Sequence, residues 1–131
     1  MKIIQPDGWP RPKGYSNGIV AEGKMLFISG QIGWDENEQF QSDDFVAQIR
    51  QTLENTVAVL KAADSKPEHV VRMTWYITSR ADYLANLDAI GQVYREIMGK
   101  TFPVMAMVEV SALMEARAKV EIETTAVIPH D

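Results

Sequence analysis

Thr101-Phe102-Pro103-Val104-Met105-Ala106-Met107-Val108-Glu109-Val110 alternates its side chains with the two-residue period of a half-buried strand. Val104, Ala106, Val108 and Val110 fall on one side, and Met105, Met107 and Glu109 on the other. A second run, Ala118-Lys119-Val120-Glu121-Ile122-Glu123-Thr124-Thr125-Ala126-Val127, repeats the pattern, with Ala118, Val120, Ile122 and Thr124 opposing Lys119, Glu121, Glu123 and Thr125. Paired with each other, the two strands place Glu109, Glu121, Glu123 and both methionines on the face turned away from the core. That mixture is odd for a solvated face and predicts a cleft wall or a partner surface.

Working outward, residues 5–14 hold prolines and glycines at close spacing, and residues 1–14 read as an irregular N-terminal arm. Asn17 to Ala21 and Lys24 to Ile32 read as a hairpin turning at Glu22-Gly23. Ser42-Asp43-Asp44 is a helix start, with a hydroxyl to cap orphan amides and acids favourable near the positive end of the dipole. Phe45, Ile49, Leu53, Val57 and Leu60 follow at helical spacing to about Ala63, where Asp64-Ser65-Lys66-Pro67 breaks the helix. Val70 to Thr78 reads as a strand, with Val71, Met73, Trp75 and Ile77 on one side. Ser79, with Asp82 three residues on, caps a second helix with the stripe Tyr83, Leu87, Ile90, Tyr94 and Ile97, closed by Gly99. The order is β-β-α-β-α-β-β, an α+β fold in one domain. Two helices cover one face of such a sheet, so the other, expected to carry Met25, Phe27, Met105 and Met107, calls for self-association.

A chain of 131 residues can bury a real core, and no apolar run approaches the roughly 20 residues of a membrane helix. Met1-Lys2-Ile3-Ile4-Gln5-Pro6 has no secretory apolar stretch, and there are no cysteines, so a cytoplasmic location is the expectation. The net charge of −5 and the scatter of the basic residues argue against nucleic acid as the main partner. His69 and His130 have no neighbour at metal-ligand spacing, so neither a metal site nor a histidine triad is expected. Gly14-Tyr15-Ser16-Asn17-Gly18 precedes no helix and is not a phosphate loop.

Gly14-Tyr15-Ser16-Asn17, Ser29-Gly30-Gln31-Ile32, Leu53-Glu54-Asn55, Phe102-Pro103 and Val120-Glu121-Ile122-Glu123 stand in an order that resembles the Rid (YjgF-type) proteins, from about Tyr15 to Val127. The resemblance implies a chorismate-mutase-like protomer assembled as a homotrimer, with clefts for a small-molecule ligand between subunits. For active members it implies hydrolysis of reactive enamines and imines to ketones and ammonia. No cofactor is expected.

Active deaminases that this chain resembles read Pro-Ala-Arg-Ser after the phenylalanine, where the arginine clamps the substrate carboxylate. Here the matching residues are Pro103-Val104-Met105-Ala106. A thioether supplies neither the charge nor the paired donors of a guanidinium. Met105 therefore lines a more apolar cleft, or fills the space of a retired site. Glu121 matches the family's acidic cleft residue and can orient water and move protons; its other reading is an ion pair, with Lys119 the nearest candidate. Tyr15 closes the pocket or packs as an amphipathic residue. Ser29 and Gly30 are ligand-contact candidates, whereas Gln31 is better suited to the subunit interface. Arg117, and less directly Arg72, are candidates to restore a positive charge, against the plainer reading of solvated surface arginines. Three functions follow: an enamine or imine deaminase acting on something other than a simple 2-imino acid, a non-catalytic metabolite-sensing or scaffolding trimer, and, least favoured, an endoribonuclease or translation inhibitor.

Overall fold

The helix start expected at Ser42-Asp43-Asp44 forms in the computed structural model, which describes residues 1–130, but the capping side chain is the Asp44 carboxylate and not the expected Ser42 hydroxyl. The Asp44 carboxylate accepts the Ala47 N–H at 2.9 Å, and Ser42 Oγ accepts the Asp44 N–H at 2.9 Å. Helix α1 (Phe45–Ala62) then buries Ile49, Leu53 and Leu60 completely. Three strands precede it: β1 (Lys2–Ile4), β2 (Gly18–Val20) and β3 (Lys24–Ile32). After it come β4 (Val70–Ile77), α2 (Arg80–Ala85), α3 (Leu87–Met98), β5 (Val104–Glu109) and β6 (Val120–Ile128). The main sheet has four strands in the order β3-β6-β4-β5, with β4 and β5 parallel and the other pairs antiparallel. The α+β fold class holds: one mixed sheet, with helices on one face. No helix among the described residues is long and apolar enough to cross a membrane.

The structure corrects the sequence reading in four places. First, Gly18–Val20 pairs with Lys2–Ile4 in a separate two-stranded sheet, so the expected hairpin does not form and the arm is not irregular throughout. Asn17 Nδ2 donates to Gln5 Oε1 at 2.7 Å and holds that small sheet closed. The chain does turn at Gly23 (φ 151°), but into the pairing of Lys24 with Ile128. Second, the expected single helix over residues 80–98 is broken at Asn86, whose side chain donates to the Asp82 carbonyl at 2.7 Å and competes with the helix backbone. Ser79 caps α2 by accepting the Asp82 N–H, as its position predicts. The break re-aims α3, which buries Ile90, Val93, Tyr94 and Met98 and leaves Leu87 exposed.

Third, β5 and β6 are not neighbours, because β4 lies between them. Fourth, the two faces of β5 are the reverse of the expectation. Met105 lies beside Met73, and Met107 beside Trp75, in the parallel register. Met73 and Trp75 are core residues, and both β5 methionines pack against the core. Two methionines present more apolar area to bury than the Val and Ala side chains of the other face. Glu109, the charge that argued against this orientation, sits at the strand end, where its carboxylate accepts the Arg80 N–H at 2.7 Å at the start of α2.

Helix α1 is tied to the sheet by two amides. Gln48, only 1% exposed, donates through Nε2 to the Ser42 and Arg117 carbonyls at 3.1 and 3.0 Å. Its Oε1 accepts the Lys119 N–H at 2.8 Å. Asn55 Nδ2 donates to the Ile32 and Trp34 carbonyls at 3.0 and 2.7 Å. Gly33 leaves room for the first of these ties, since a Cβ there would lie 2.7 Å from Gln48 Cβ. Replacing Gln48 by Leu strands three backbone groups and is expected to cost about 2–3 kcal/mol. Removing the α1 cap with Asp44→Ala is expected to cost about 1 kcal/mol. Urea unfolding midpoints check both values and their order.

Candidate functional site

The inverted phase of β5 puts the sequence-selected residues on different sides of the sheet. Glu121 lies opposite Tyr76 and Glu123 opposite Thr74, on the face away from the helices. Val104, Ala106 and Val108 share that face through their pairing with Arg72, Thr74 and Tyr76. Met25 and Phe27, 60% and 71% exposed, complete it from the β3 edge. Met105 and Met107 are absent from this face. Met105 and Glu121 therefore do not meet within one protomer.

Around Glu121 the chain is shaped by a bulge. The β3–β6 register shifts between Ile28 and Gln31, which places Ser29 and Gly30 in the irregularity. The Glu121 side chain lies directly against Gly30, where a Cβ would fall 2.7 Å from Glu121 Cδ. Gly30 is thus a close-approach glycine. Gln31 Nε2 donates to the Ser29 carbonyl and hydroxyl, both at 3.2 Å, and so braces the bulge. Glu121 itself forms neither an ion pair nor a hydrogen bond among the described residues, and no pair with Lys119 is present. Its neighbour Glu123 accepts the Tyr76 hydroxyl at 2.8 Å, which holds that phenol above its ordinary pKa. Ser29, Arg72, Thr74 and Glu123 line a shallow trough beside Phe27. Arg72 is therefore a cation of the open face.

Met105 instead lines a pocket of about 340 Å³ on the helix side, with Met107, Trp75, Ile90, Phe102 and Arg95 among its walls. Arg95 was not singled out in the sequence. The available signal was Gly91, a residue that weakens a helix interior and stands four positions before it. Arg95 folds back over Gly91, where a Cβ would lie 3.2 Å from Nη1. Tyr15 lines an adjoining groove, and Gly14 and Phe102 border both spaces. The link is structural, because Ser16 donates to the Pro103 carbonyl through its N–H at 3.1 Å and to the Phe102 carbonyl through Oγ at 2.6 Å.

Arg117 is engaged elsewhere. Its guanidinium pairs with Asp43 at 2.9 Å, donates to the Phe40 carbonyl at 3.3 Å, and sits 5.4 Å from the Phe40 ring centroid. It lines neither the Met105 pocket nor the open-face trough. His69 shares a hydrogen bond with Ser65 at 3.0 Å in the turn before β4.

Comparison with known proteins agrees with this architecture. The family model described as Endoribonuclease L-PSP matches residues 10–128. Protein DfrA of Myxococcus xanthus is 38% identical over 129 residues, covering 96% of this chain and 95% of its own length. A 2-iminobutanoate/2-iminopropanoate deaminase of Salmonella typhimurium is 35% identical over 127 residues, covering 96% and 97%. Among solved structures, YyfB from Yersinia pestis, a Rid-family protein of unknown function, superimposes with a TM-score of 0.85 at 31% identity, covering 97% of this chain and 98% of its own. With this fold, these motifs and these relatives, the chain belongs to the Rid (YjgF) family.

Proposed function

We propose that the chain acts as a homotrimer that binds a small metabolite in clefts between copies and hydrolyses an enamine or imine other than a simple 2-imino acid. The observation that carries this reading is the Glu121 carboxylate, held against the Gly30 backbone and unneutralised by any partner among the described residues. The division of the site supports an intersubunit location. Strands β3 and β5 are the two edges of the sheet, with Glu121 beside the first and Met105 on the second. Head-to-tail contacts that close into a ring bring one copy's β5 edge to the next copy's Glu121. The exposed apolar side chains Met25, Phe27 and Val108 supply a surface for that contact.

In this mechanism Glu121 orients a water on the C=N carbon and accepts its proton as the C–O bond forms. Glu121 then passes that proton to the imine nitrogen, giving a carbinolamine and restoring the carboxylate. Proton transfer from the new hydroxyl to the nitrogen then breaks the C–N bond and releases ammonia and a ketone. Backbone groups at Gly30 face the reacting centre, and Tyr15 closes the mouth. The name of the Salmonella relative favours imine hydrolysis. The thioether at position 105 sets this chain apart from enzymes that clamp a small carboxylate at that point. Phosphate backbones are a poor fit to an open face carrying Glu121 and Glu123 on a chain of net charge −5.

Ammonia release from a panel of acidic, neutral and aromatic imines tests the reaction. Glu121→Ala is expected to lower the rate on the best substrate by about 100-fold or more. Gly30→Ala, which pushes the carboxylate aside, is expected to act in the same direction. Saturable ligand binding without product from any imine would instead assign the chain a sensing or scaffolding role. Sedimentation equilibrium tests the assembly: the wild type is expected at three times the chain mass, and Phe27→Asp as a monomer, since a charge at the centre of an apolar contact stays unpaired.

A further inference from the structure

The pocket on the helix side of β5 combines features that the hydrolytic reading leaves unused. Its floor and walls are apolar, formed by Trp75, Ile90, Met105, Met107 and Phe102. At about 340 Å³ it has room for one aromatic ring with a short arm. The charged group on its lining is the Arg95 guanidinium, which has no ion-pair partner among the described residues. The other cations near the sheet are placed differently, Arg117 on Asp43 and Arg72 on the open face.

One neutral group on the lining can donate to a ligand. Tyr83 has its phenol pushed above the ordinary value by burial and stays protonated. By contrast, the Tyr94 hydroxyl is already committed to the Thr101 carbonyl at 2.7 Å. The Trp75 indole N–H, which finds no acceptor among the described residues, is sealed from solvent and is not a donor to this space. The lining thus offers a cation and a neutral donor around an apolar body. It presents no carboxylate that would oppose an anion.

We infer that this pocket takes an aromatic or bulky apolar carboxylate, with Arg95 as its anion anchor and the Met105–Met107 floor as the seat of its apolar body. Gly91 is what lets the guanidinium lie over the pocket, because a side chain at that position would crowd Nη1 at 3.2 Å. The inference goes beyond the proposed function: the pocket lies on the helix side of β5, on the opposite face from Glu121, and its ligand is a bound carboxylate and not the imine that is hydrolysed.

The test uses 3-phenylpropionate, which has no C=N bond and so reports the anchor alone. Its neutral isostere 3-phenylpropanol and the short acid propionate are compared with it by calorimetry on the intact chain. The expected result is binding of 3-phenylpropionate at least 10-fold tighter than of either control. Arg95→Gln is expected to abolish the preference for the acid over the alcohol while leaving alcohol binding within twofold, and Arg95→Lys to keep part of it. Arg95 is exposed on α3, so these variants are expected to unfold at the wild-type midpoint. Equal affinity for acid and alcohol, an acid preference that survives Arg95→Gln, or no binding of 3-phenylpropionate would each overturn the inference. Failure of every imine in the hydrolysis panel would leave it standing, and its own failure would leave imine hydrolysis standing.

Discussion

The parallel pairing of β4 with β5 is the constraint on which the rest of the molecule depends. It inserts β4 between the two runs whose alternation dominates the sequence, so β5 becomes an edge and β6 an interior strand. It also sets the phase of β5, because Met105 and Met107 must follow Met73 and Trp75 into the core. A strand has a side-chain period of two, and this one choice moves every residue of β5 to a definite face. The parallel connection requires a crossover, and α2 and α3 supply it on the same side of the sheet as α1. The apolar face is thereby covered, and the face bearing Glu121 is left open.

The helices stay in register with the sheet through polar contacts as much as through apolar ones. Gln48 reaches the carbonyl and N–H groups where the chain enters β6, and Asn55 reaches the carbonyls where it leaves β3. Both sites are places where a strand ends and its backbone groups lose their ladder partners, so a side-chain amide meets a real need. The same region carries the bulge at Ser29 and Gly30 that lets Glu121 lie against the backbone. Structural bracing and the candidate chemistry are thus built from adjacent residues.

The caps at Ser79 and Gly99, the α1 stripe, the inward residues of β4 and β6 and the α+β class were all legible, because each depends on neighbours within a turn or along one strand. Ile49, Met73 and Ile122 stand where their spacing put them, whereas the α1 cap fell to Asp44 and not to Ser42. The split at Asn86 was harder, since it turns on one amide competing for a carbonyl within an otherwise helical pattern. The hairpin at Gly23 failed because turn chemistry says that the chain reverses and not which strand receives it. For the site, Glu121, Gly30 and Tyr15 were named from motifs. Arg95 was passed over because a surface arginine on a helix carries no distinguishing pattern in one dimension.

By itself, the sequence determined most of the strands and helices of the main sheet and its cover, which chemical groups are present, and that position 105 is a methionine. Periodicity and composition are local properties, and they survive without knowledge of the partner strand. Only the tertiary structure decided that Met105 and Glu121 lie on opposite faces, that Arg117 is spent on Asp43, and that Arg95 occupies the methionine-floored pocket. The physical reason is strand order. A face becomes a core or a surface according to what pairs beside it and what packs over it, and both are set by contacts between residues far apart in the chain.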